Sequence, residues 1–561
     1  MSDIQIWTLV FIVVTFGIYI VIAWRSRVKD TEGFYVADQG IPTVANGAAV
    51  AADWMSAASF IGMAGLIAFL GSDGSIYLMG WTGGFVLLAL LLAPYLRKWG
   101  KFTVPEFVGD RYSETVRLIS AVAAIIVSFT YVVGQMNGGG IVFSRFLGLD
   151  ITGGVIVAAL IIFTYTVLGG MKGITWTQVA QYTVLIIAYL IPAVAVAQQM
   201  TGIPVPQVSF GQILAELDAL SQDFGLAAYT EAFSGRPGGQ IDVFLVTMSL
   251  MLGTAGLPHV IIRFYTTKTV RGARFSAFWA LFFIGLLYTT APAVGAFTKL
   301  NLLQGVQGVS VDNLPEWVQN WQATGLVSVA ENSDAVNTIT NDAEAFAEGG
   351  YDLLVNNDIL VLASPEIAGL PAPVVGLVAA GGMAAAMSTA AGLLLVISSS
   401  VSHDLFFRVV KRDATDRQRL LAGRVAMGLA VLVAIYFGIN PPAFVAQVVA
   451  FAFGLAASTF FPVLLLGIFW KRASAAGAAA GMLAGLAFTG SYMIYTLEVF
   501  GTPENDHILG ISPEGIGAVG ALVNFVVTIL VSSVTRPPSE HVQEMVEEIR
   551  YPAARVSSTK S

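Results

Sequence analysis

The stretch AADWMSAASFIGMAG (51–65) places an acid and two serines inside a segment that is largely apolar from 44 to 70. An ionisable group in hydrocarbon is costly unless it faces protein or water, so Asp53 is a candidate functional residue. The alternative is that Asp53 only caps backbone amides at a helix interruption. Ser56, Ser59 and the small alanines suit an unwound turn, whose carbonyl oxygens can ligate a hard cation such as sodium.

A second interruption is predicted in GTAGLPHVIIRF (253–264), where Gly253, Gly256 and Pro258 lie close together. Glycine and proline loosen or remove helix hydrogen bonds, so this backbone should be irregular. His259 follows the proline. It either passes protons near neutral pH or, as the simpler alternative, hydrogen-bonds across helices and stabilises the break.

A third stretch, AAAMSTAAGLLLVISSSVSHDL (384–405), carries the adjacent hydroxyls Ser388 and Thr389. A serine in a membrane helix usually bonds back to its own helix, and this is the simpler interpretation for the later serines. Two hydroxyls that face unwound carbonyls could instead complete an oxygen cage for sodium.

The composition places these stretches in a membrane. The chain has 561 residues, of which 56% are apolar and 11% charged, and its mean hydropathy is +0.75. Repeated apolar runs of about 20 residues predict an all-α polytopic membrane protein. The absence of cysteine excludes disulfides and thiolate metal sites. No Ser/His/Asp set, metal cluster or phosphate-binding loop favours an enzyme, and nothing favours nucleic-acid binding.

Hydropathy predicts thirteen spans within one transmembrane domain (1–535), followed by a cytoplasmic tail (536–561). The spans cover 6–24, 43–70, 75–96, 117–147, 151–171, 174–197, 241–265, 275–298, 371–409, 420–438, 443–470, 474–500 and 514–535. With the N-terminus outside, 25 of the 28 Lys and Arg residues fall on the cytoplasmic side. This asymmetry predicts an outer N-terminus and a cytoplasmic C-terminus.

The order of the spans suggests an inverted repeat. The interrupted spans 2 and 7 each begin a set of five, which cover about 43–197 and 241–470. Because five is odd, the two sets enter the membrane from opposite sides, and a binding site is expected between them at the midplane. The long outer loop 299–370 carries ten acids and no Lys or Arg after Lys299. It is either an electrostatic funnel for cations or, more simply, a solvated acidic loop.

Four blocks carry a family resemblance: ADWMSAASFIGMAG, GGMKGITWTQVAQ, GTAGLPHVIIRFYTTKTVRGAR and MSTAAGLLLVISSSVSHDL. Together they resemble the solute:sodium symporter family. MSAASFIG, GTAGLPH and SHDL are most similar to its acetate and monocarboxylate permease branch. The resemblance implies a leucine-transporter-like inverted repeat with one helix added before the core. It also implies uptake of a small solute with sodium.

Carried over by position, the resemblance predicts which residues bind sodium and couple it. The sodium ligands would be the carbonyls of Ala52, Met55 and Ala385 and the hydroxyls of Ser388 and Thr389. Several family members have an aspartate after the Trp-Thr pair of the span 6 block, where this chain has Gln178. Asp53 is then the nearest acid, so Asp53 and Gln178 are the predicted coupling residues.

A carboxylate substrate would need amides, hydroxyls or a cation. We expect no Lys or Arg at the midplane, because Arg263 falls at the inner end of span 7. The expected contacts are half-helix amides near Ser56 and Thr254, and the bound sodium, with help from three side chains, Ser59, Tyr131 and Gln135. The resemblance places Tyr131 near the substrate, whereas Gln135 could equally be a packing contact.

The predicted function is sodium-coupled import of an acetate-like monocarboxylate by alternating access, in the plasma membrane (a bacterial inner membrane). The alternatives are uptake of a neutral or zwitterionic solute such as an amino acid, or a membrane sensor with the same fold. The expected partners are the solute and the lipid bilayer, and an auxiliary small membrane protein is left open.

Overall fold

The computed structural model describes residues 2–26, 37, 40–99, 103–234, 236, 238–497 and 507–551, and about four fifths of it is helical. Residues 498–500 of predicted span 12 and 552–561 of the predicted tail lie outside the described residues. The helices that follow the predicted spans are Asp3–Arg25, Thr43–Trp54, Met63–Leu70, Ser75–Leu87, Ala93–Trp99, Glu114–Leu147, Ile151–Thr201, Gly239–Gly256, Pro258–Tyr265, Val270–Tyr288, Ala291–Val306, Ala372–Ser399, Asp416–Ile439, Val445–Thr459, Phe461–Phe469, Ala475–Thr496 and Ile516–Val534. Three π-helical pieces continue some of them, Ala58–Gly62, Leu88–Leu92 and Ser400–Val410.

Within the described residues, eleven helices are long and apolar enough to cross a membrane, whereas the sequence predicts thirteen spans. The difference has two causes. The apolar helix Ile151–Val167 is too short to be counted. In addition, the second half of predicted span 2 runs into predicted span 3 as one stretch, Ala58–Trp99.

Predicted spans 5 and 6 are two helices within the continuous helical stretch Ile151–Thr201, which meet at a kink at Gly170. The backbone of Gly170 has φ 54° and ψ −169°, a conformation that residues with a Cβ rarely adopt. A glycine is therefore required at this kink, where the chain passes from one predicted span to the next.

The helix that carries Ser388 and Thr389 lies at the centre of the bundle. The most apolar part of Ala372–Val410 is 100% buried, against 28% for Asp3–Arg25 and for Asp416–Ile439 at the periphery. Helix Ala372–Ser399 packs mainly against Ile151–Thr201 and Glu114–Leu147. Its small residues, mostly alanine and glycine, allow this close approach.

The two predicted long loops are largely structured. Residues 198–240 include the short helices Pro206–Ser209, Phe210–Ile213 and Leu214–Asp223. Residues 299–370 include the helical pieces Val311–Asn313, Glu316–Gln322, Ala343–Glu348, Asn357–Ile359 and Leu360–Ile367 and the strands Val327–Val329, Ile339–Thr340 and Leu353–Val355. The last strand is central: it pairs antiparallel with Val327–Val329 (Val327 opposite Val355) and parallel with Ile339–Thr340 (Ile339 opposite Leu353).

Several acids of the segment 299–370 contact other protein groups rather than solvent alone. The Glu366 carboxylate lies 2.6 Å from the Arg145 guanidinium. Asp358 accepts a hydrogen bond of 2.9 Å from the N–H of Val445, at the start of helix Val445–Thr459. Asp352 accepts bonds from the backbone of Asn337 and from Thr338. The interpretation of this segment as a merely solvated acidic loop is therefore incomplete.

Residues 411–415 follow the helical stretch Ala372–Val410, whose other end adjoins the segment 299–370, and so lie on the opposite side of the molecule. Helix Glu540–Glu548 of the predicted tail lies there, where the Lys471 ammonium contacts Glu547 at 2.6 Å. We call the side with residues 411–415 and this helix the basic face, and the side with residues 307–359 the acidic face.

Candidate functional site

The break in predicted span 2 releases backbone groups from their helix. Helix Thr43–Trp54 ends at Met55, whose φ of −76° and ψ of 68° are not helical, and Ala58–Gly62 continues as a π-helix. The N–H of Ser56 turns back to the carbonyl of Trp54 at 2.8 Å. The carbonyls of Ala52 and Asp53 thereby lose the partners that a regular helix would give them.

Span 9 supplies new partners for the two carbonyls. The hydroxyl of Ser388 lies 2.7 Å from the carbonyl oxygen of Ala52 and 2.9 Å from that of Ala385. The hydroxyl of Thr389 donates to the carbonyl oxygen of Asp53 at 2.7 Å. We call these five oxygens, from the carbonyls of Ala52, Asp53 and Ala385 and the hydroxyls of Ser388 and Thr389, the oxygen cradle.

The cradle brings together four of the five residues that the resemblance predicts for sodium. The fifth, Met55, forms the turn itself, but the carbonyl that meets Thr389 belongs to Asp53. Carbonyl and hydroxyl oxygens are the donors that hard cations prefer, and a hydroxyl that donates a hydrogen bond keeps lone pairs for an ion. Among the described residues no group of three or more His, Cys, Asp or Glu side chains is placed to hold a metal. The assignment of sodium to these residues stays a prediction.

The Asp53 side chain lies beside the cradle. One carboxylate oxygen accepts from Gln178 Nε2 at 2.9 Å, and the other accepts from Arg263 Nε at 3.1 Å. Gln178 Nε2 also donates to the carbonyl of Ser388 at 2.7 Å. The two predicted coupling residues are thus in direct contact, and the Asp53 carboxylate bonds side chains rather than the backbone amides of the break.

The partner of Asp53 was missed by the sequence analysis. Arg263, expected at the inner end of span 7, has a side chain that is 0% exposed and forms an ion pair with Asp53 inside the bundle. A signal was present, because Arg263 is the single Lys or Arg in 241–265 and Asp53 the single acid in 43–70. A lone buried charge of each sign in two facing broken spans favours a pair.

Span 7 is interrupted as predicted. Helix Gly239–Gly256 ends at Leu257, whose φ of −69° and ψ of 119° are extended, and Pro258–Tyr265 begins a new short helix. Pro258 stands at the first position of that helix, where its missing N–H costs nothing. All eight residues of the short helix are buried.

The predicted substrate residues fall into two groups. Gln135 accepts from the N–H of Ala57 at 2.9 Å through Oε1, while its Nε2 has no hydrogen-bond partner among the described residues. Tyr131 lies one turn away on the same helix, and Ser56 is beside the Tyr131 hydroxyl. These three residues therefore lie at the break.

Ser59, predicted for its hydroxyl, and Thr254, predicted for the half-helix amides near it, both make side-chain hydrogen bonds within the protein. Ser59 lies 2.9 Å from the hydroxyl of Tyr288, and Thr254 donates to the carbonyl of Leu250 in its own helix at 2.8 Å.

His259 faces Tyr131, with ring centroids 5.3 Å apart and the rings nearly perpendicular. The expected hydrogen bond across helices is not found, because neither ring nitrogen has a partner among the described residues.

Phe453 packs at 5.7 Å from Tyr131 and also contacts the rings of Trp54 and Trp81. The sequence carried no signal for Phe453, since aromatic residues make up 11% of the chain.

Comparisons with known proteins show which family the chain belongs to. The sequence pattern of the sodium:solute symporter family matches residues 34–311 and 358–485. An uncharacterized symporter of Cupriavidus necator is 35% identical, with 96% of this chain and 93% of the relative covered. The uncharacterized symporter YwcA of Bacillus subtilis is 30% identical, with 84% and 82% covered. These names assign no solute, so the acetate and monocarboxylate branch stays a prediction.

The structure resembles that of a Na⁺-coupled sialic acid symporter solved in a substrate-bound outward-open state. The TM-score is 0.70 at 14% identity, and 95% of this chain and 98% of that chain are covered. At this identity the likeness concerns the fold, and it confirms the predicted all-α, leucine-transporter-like architecture. The family and the fold together indicate a transporter rather than an enzyme. The chain therefore belongs to the sodium:solute symporter family, as a membrane-spanning symporter whose coupling ion is sodium.

Proposed function

We propose that this symporter imports a small monocarboxylate of the acetate type together with sodium, by alternating access across the plasma membrane. Sodium would bind in the oxygen cradle, and the carboxylate would bind beside it at the break of span 2. The acidic face would be external and the basic face cytoplasmic, in keeping with the positive-inside distribution of Lys and Arg.

The observation that carries this proposal is a set of buried donors beside the break. Gln135 Nε2 and the His259 ring nitrogens, one of which donates in a neutral imidazole, have no partner among the described residues, and the hydroxyls of Ser56 and Tyr131 lie next to them. A buried donor without a partner costs about 1–3 kcal/mol, so a ligand that accepts hydrogen bonds is favoured here. An ionised carboxylate has acceptors only.

The same surroundings disfavour an amino acid, which is the alternative substrate class. Its ammonium group would need an acidic or acceptor partner. The nearby carboxylate of Asp53 already accepts from Arg263 and Gln178 with both oxygens. The aromatic rings of Trp54, Tyr131 and Phe453 crowd together on one side of the break and favour a short apolar tail. A short-chain monocarboxylate would bring both an acceptor group and an apolar tail to these residues.

The test is uptake of labelled acetate into proteoliposomes after a sodium jump, with competition by propionate, pyruvate, lactate and proline. We expect sodium-dependent uptake that the monocarboxylates inhibit and proline does not. Inhibition by proline with none by the monocarboxylates would favour the amino-acid alternative.

A variant of Gln135 makes the test specific to the site. Gln135→Glu keeps an oxygen that can accept from the N–H of Ala57, but it replaces the free donor by an acceptor. We expect the KM for acetate to rise about tenfold or more, since one lost hydrogen bond to a charged group is worth about 1.5–3 kcal/mol. The matched control is Gln207→Glu, because the Gln207 amide donates to Thr290 at 2.7 Å and neither residue is a predicted sodium or substrate residue. An unchanged KM in Gln135→Glu would contradict the assignment.

A further inference from the structure

The ion pair between Asp53 and Arg263 joins the two broken helices. Asp53 belongs to the last turn of Thr43–Trp54, and Arg263 belongs to the short helix Pro258–Tyr265. The Asp53 and Arg263 side chains are 2% and 0% exposed, and the contact measures 3.1 Å. A carboxylate this deep in the bundle stays charged only beside a positive charge, which can be an ion or a side chain.

The Asp53 carboxylate already has a positively charged partner, and its surroundings are closely packed. Gln178 takes one carboxylate oxygen and Arg263 takes the other. On the side of span 9, the carboxylate packs so closely against Gly392 that any side chain there would overlap it. The positive charge that compensates Asp53 is therefore covalently part of the protein.

This charge pair adjoins the proposed sodium site directly. The backbone carbonyl of Asp53 is a member of the oxygen cradle, and Gln178 bridges the Asp53 carboxylate to the carbonyl of Ser388. An uncompensated Asp53 would therefore place a negative charge within one residue of the cradle, where it would attract a second cation.

We propose that Arg263 is a tethered counter-cation, which takes the place of a second coupling ion at Asp53 and limits the transporter to one sodium per solute. The inference rests on the proposed sodium-coupled function and deepens it, because it assigns the ion count to one ion pair.

A purely structural role for Arg263 predicts something different. The guanidinium also contacts the Thr175 hydroxyl at 3.2 Å and the Met171 sulfur at 3.1 Å, and its backbone carbonyl accepts from Asn46. These contacts hold the short helix in place without any bearing on ion number. A structural role would change stability alone, whereas a counter-cation sets how many sodium ions bind.

The test counts sodium ions in two ways, both at pH 8. Tryptophan fluorescence of the purified protein, with Trp54 next to the break, follows sodium binding in the absence of solute. Parallel uptake of ²²Na⁺ and labelled acetate into proteoliposomes gives the flux ratio. For the wild type we expect a Hill coefficient near one and one sodium per acetate.

Two variants should each add a second sodium, because each leaves one negative charge uncompensated. Arg263→Gln removes the tethered cation, and Gln178→Asp adds an acid while Arg263 stays. In either variant we expect a Hill coefficient above one and a flux ratio that approaches two. The matched controls are Arg263→Lys and the double variant Asp53→Asn/Arg263→Gln, which preserve the charge balance. For both we expect a Hill coefficient near one and a flux ratio of one sodium per acetate.

The outcomes separate the two proposals. Two sodium ions in the wild type would overturn the inference, as would a single sodium in both Gln178→Asp and Arg263→Gln. If Arg263→Gln does not fold, Gln178→Asp decides the question alone. Failure of the proposed function is distinct: acetate uptake would be absent in the wild type, while the sodium titration would still report the ion count.

Discussion

Ser388 and Thr389 bond partners outside their own helix, which distinguishes them from Ser399 in the same span. Ser399, by contrast, donates to the carbonyl of Val396 one turn earlier. Neighbouring hydroxyls of similar sequence context thus have different roles, and the difference comes from the broken backbone of span 2. This contrast provides a matched test of the cradle.

We expect Ser388→Ala/Thr389→Ala to raise the sodium concentration for half-maximal uptake tenfold or more. Each lost contact to a cation is worth about 1.5–3 kcal/mol, and about 1.4 kcal/mol corresponds to a factor of ten. The measurement is sodium-dependent acetate uptake, and Ser399→Ala is the control that should behave as the wild type. An unchanged sodium dependence in the double variant would refute the cradle as the sodium site.

Asp53→Asn alone should damage stability as well as coupling, because it leaves the buried Arg263 without a counter-charge. Breaking one member of a buried pair costs about 3–5 kcal/mol, whereas replacing both members is far less costly. We expect a large drop in Tm for Asp53→Asn and a smaller one for Asp53→Asn/Arg263→Gln. Thermal unfolding in detergent measures both, and equal drops would show that the pair contributes no net attraction.

Among the elements, the segment on the acidic face is tied to span 11 through one carboxylate. Phe444, which precedes helix Val445–Thr459, provides no side-chain cap, and Asp358 supplies an acceptor from a distant part of the chain. Burial raises the pKa of Asp358 from 3.8 to about 7, although the bond from the N–H of Val445 lowers it. Helix Val445–Thr459 also carries Phe453, so this contact anchors one wall of the proposed solute site.

The raised pKa of Asp358 makes stability depend on pH. The folded state binds this proton more tightly than the unfolded state, so the contribution is complete below about pH 4 and is lost as pH rises through about 7. Asp358→Asn can still accept from Val445 but never ionises. We expect its Tm to exceed that of the wild type at pH 8 and the gap to close towards pH 5.

Asp352→Asn is the control with the opposite sign. Burial raises the pKa of Asp352, but bonds from Ser333, Asn337 and Thr338 outweigh this effect and hold the pKa below its ordinary value. Its ionised form therefore stabilises the fold at neutral pH, and this stability is lost as pH falls through the lowered pKa. Asp352→Asn should be less stable than the wild type at pH 8. The same pH profile in both variants would contradict this account.

The sequence located features that depend on local chemistry. The breaks at Met55 and Leu257 follow from small residues, glycine and proline within a few positions, and the resemblance located Ser388 and Thr389. Arg263 and Asp53 are 210 positions apart, and hydropathy alone does not bring them together. The strands of the acidic face have two or three residues each, which is too short for an alternating pattern to be recognised.

At the scale of the whole molecule, the charges predict how transport responds to voltage. Moving one elementary charge through the membrane potential is worth about 2.3 kcal/mol per 100 mV. One sodium ion and one monocarboxylate anion together carry no net charge. The pair of Asp53 and Arg263 is also neutral, so it adds no net charge to the binding site during alternating access. Uptake of acetate should therefore follow the sodium gradient and ignore voltage.

The measurement is acetate uptake into proteoliposomes at a fixed sodium gradient, with the potential clamped by potassium and valinomycin. A zwitterionic or neutral substrate carried by the same site would bring one positive charge per cycle and produce an inward current. Strong stimulation of acetate uptake by an inside-negative potential would reveal a second cation.

The amide of Gln135 connects the turn of span 2 with the proposed solute site, and this has a thermodynamic consequence. Its oxygen accepts from Ala57, which holds the turn that exposes the cradle carbonyls, and its nitrogen is free for the solute. A solute that accepts from the nitrogen polarises the amide and strengthens the bond at the oxygen. Cooperativity of this kind is reciprocal: whatever factor the solute adds to sodium affinity, sodium must add to solute affinity. Through this one amide, the binding of either ligand would raise the affinity for the other.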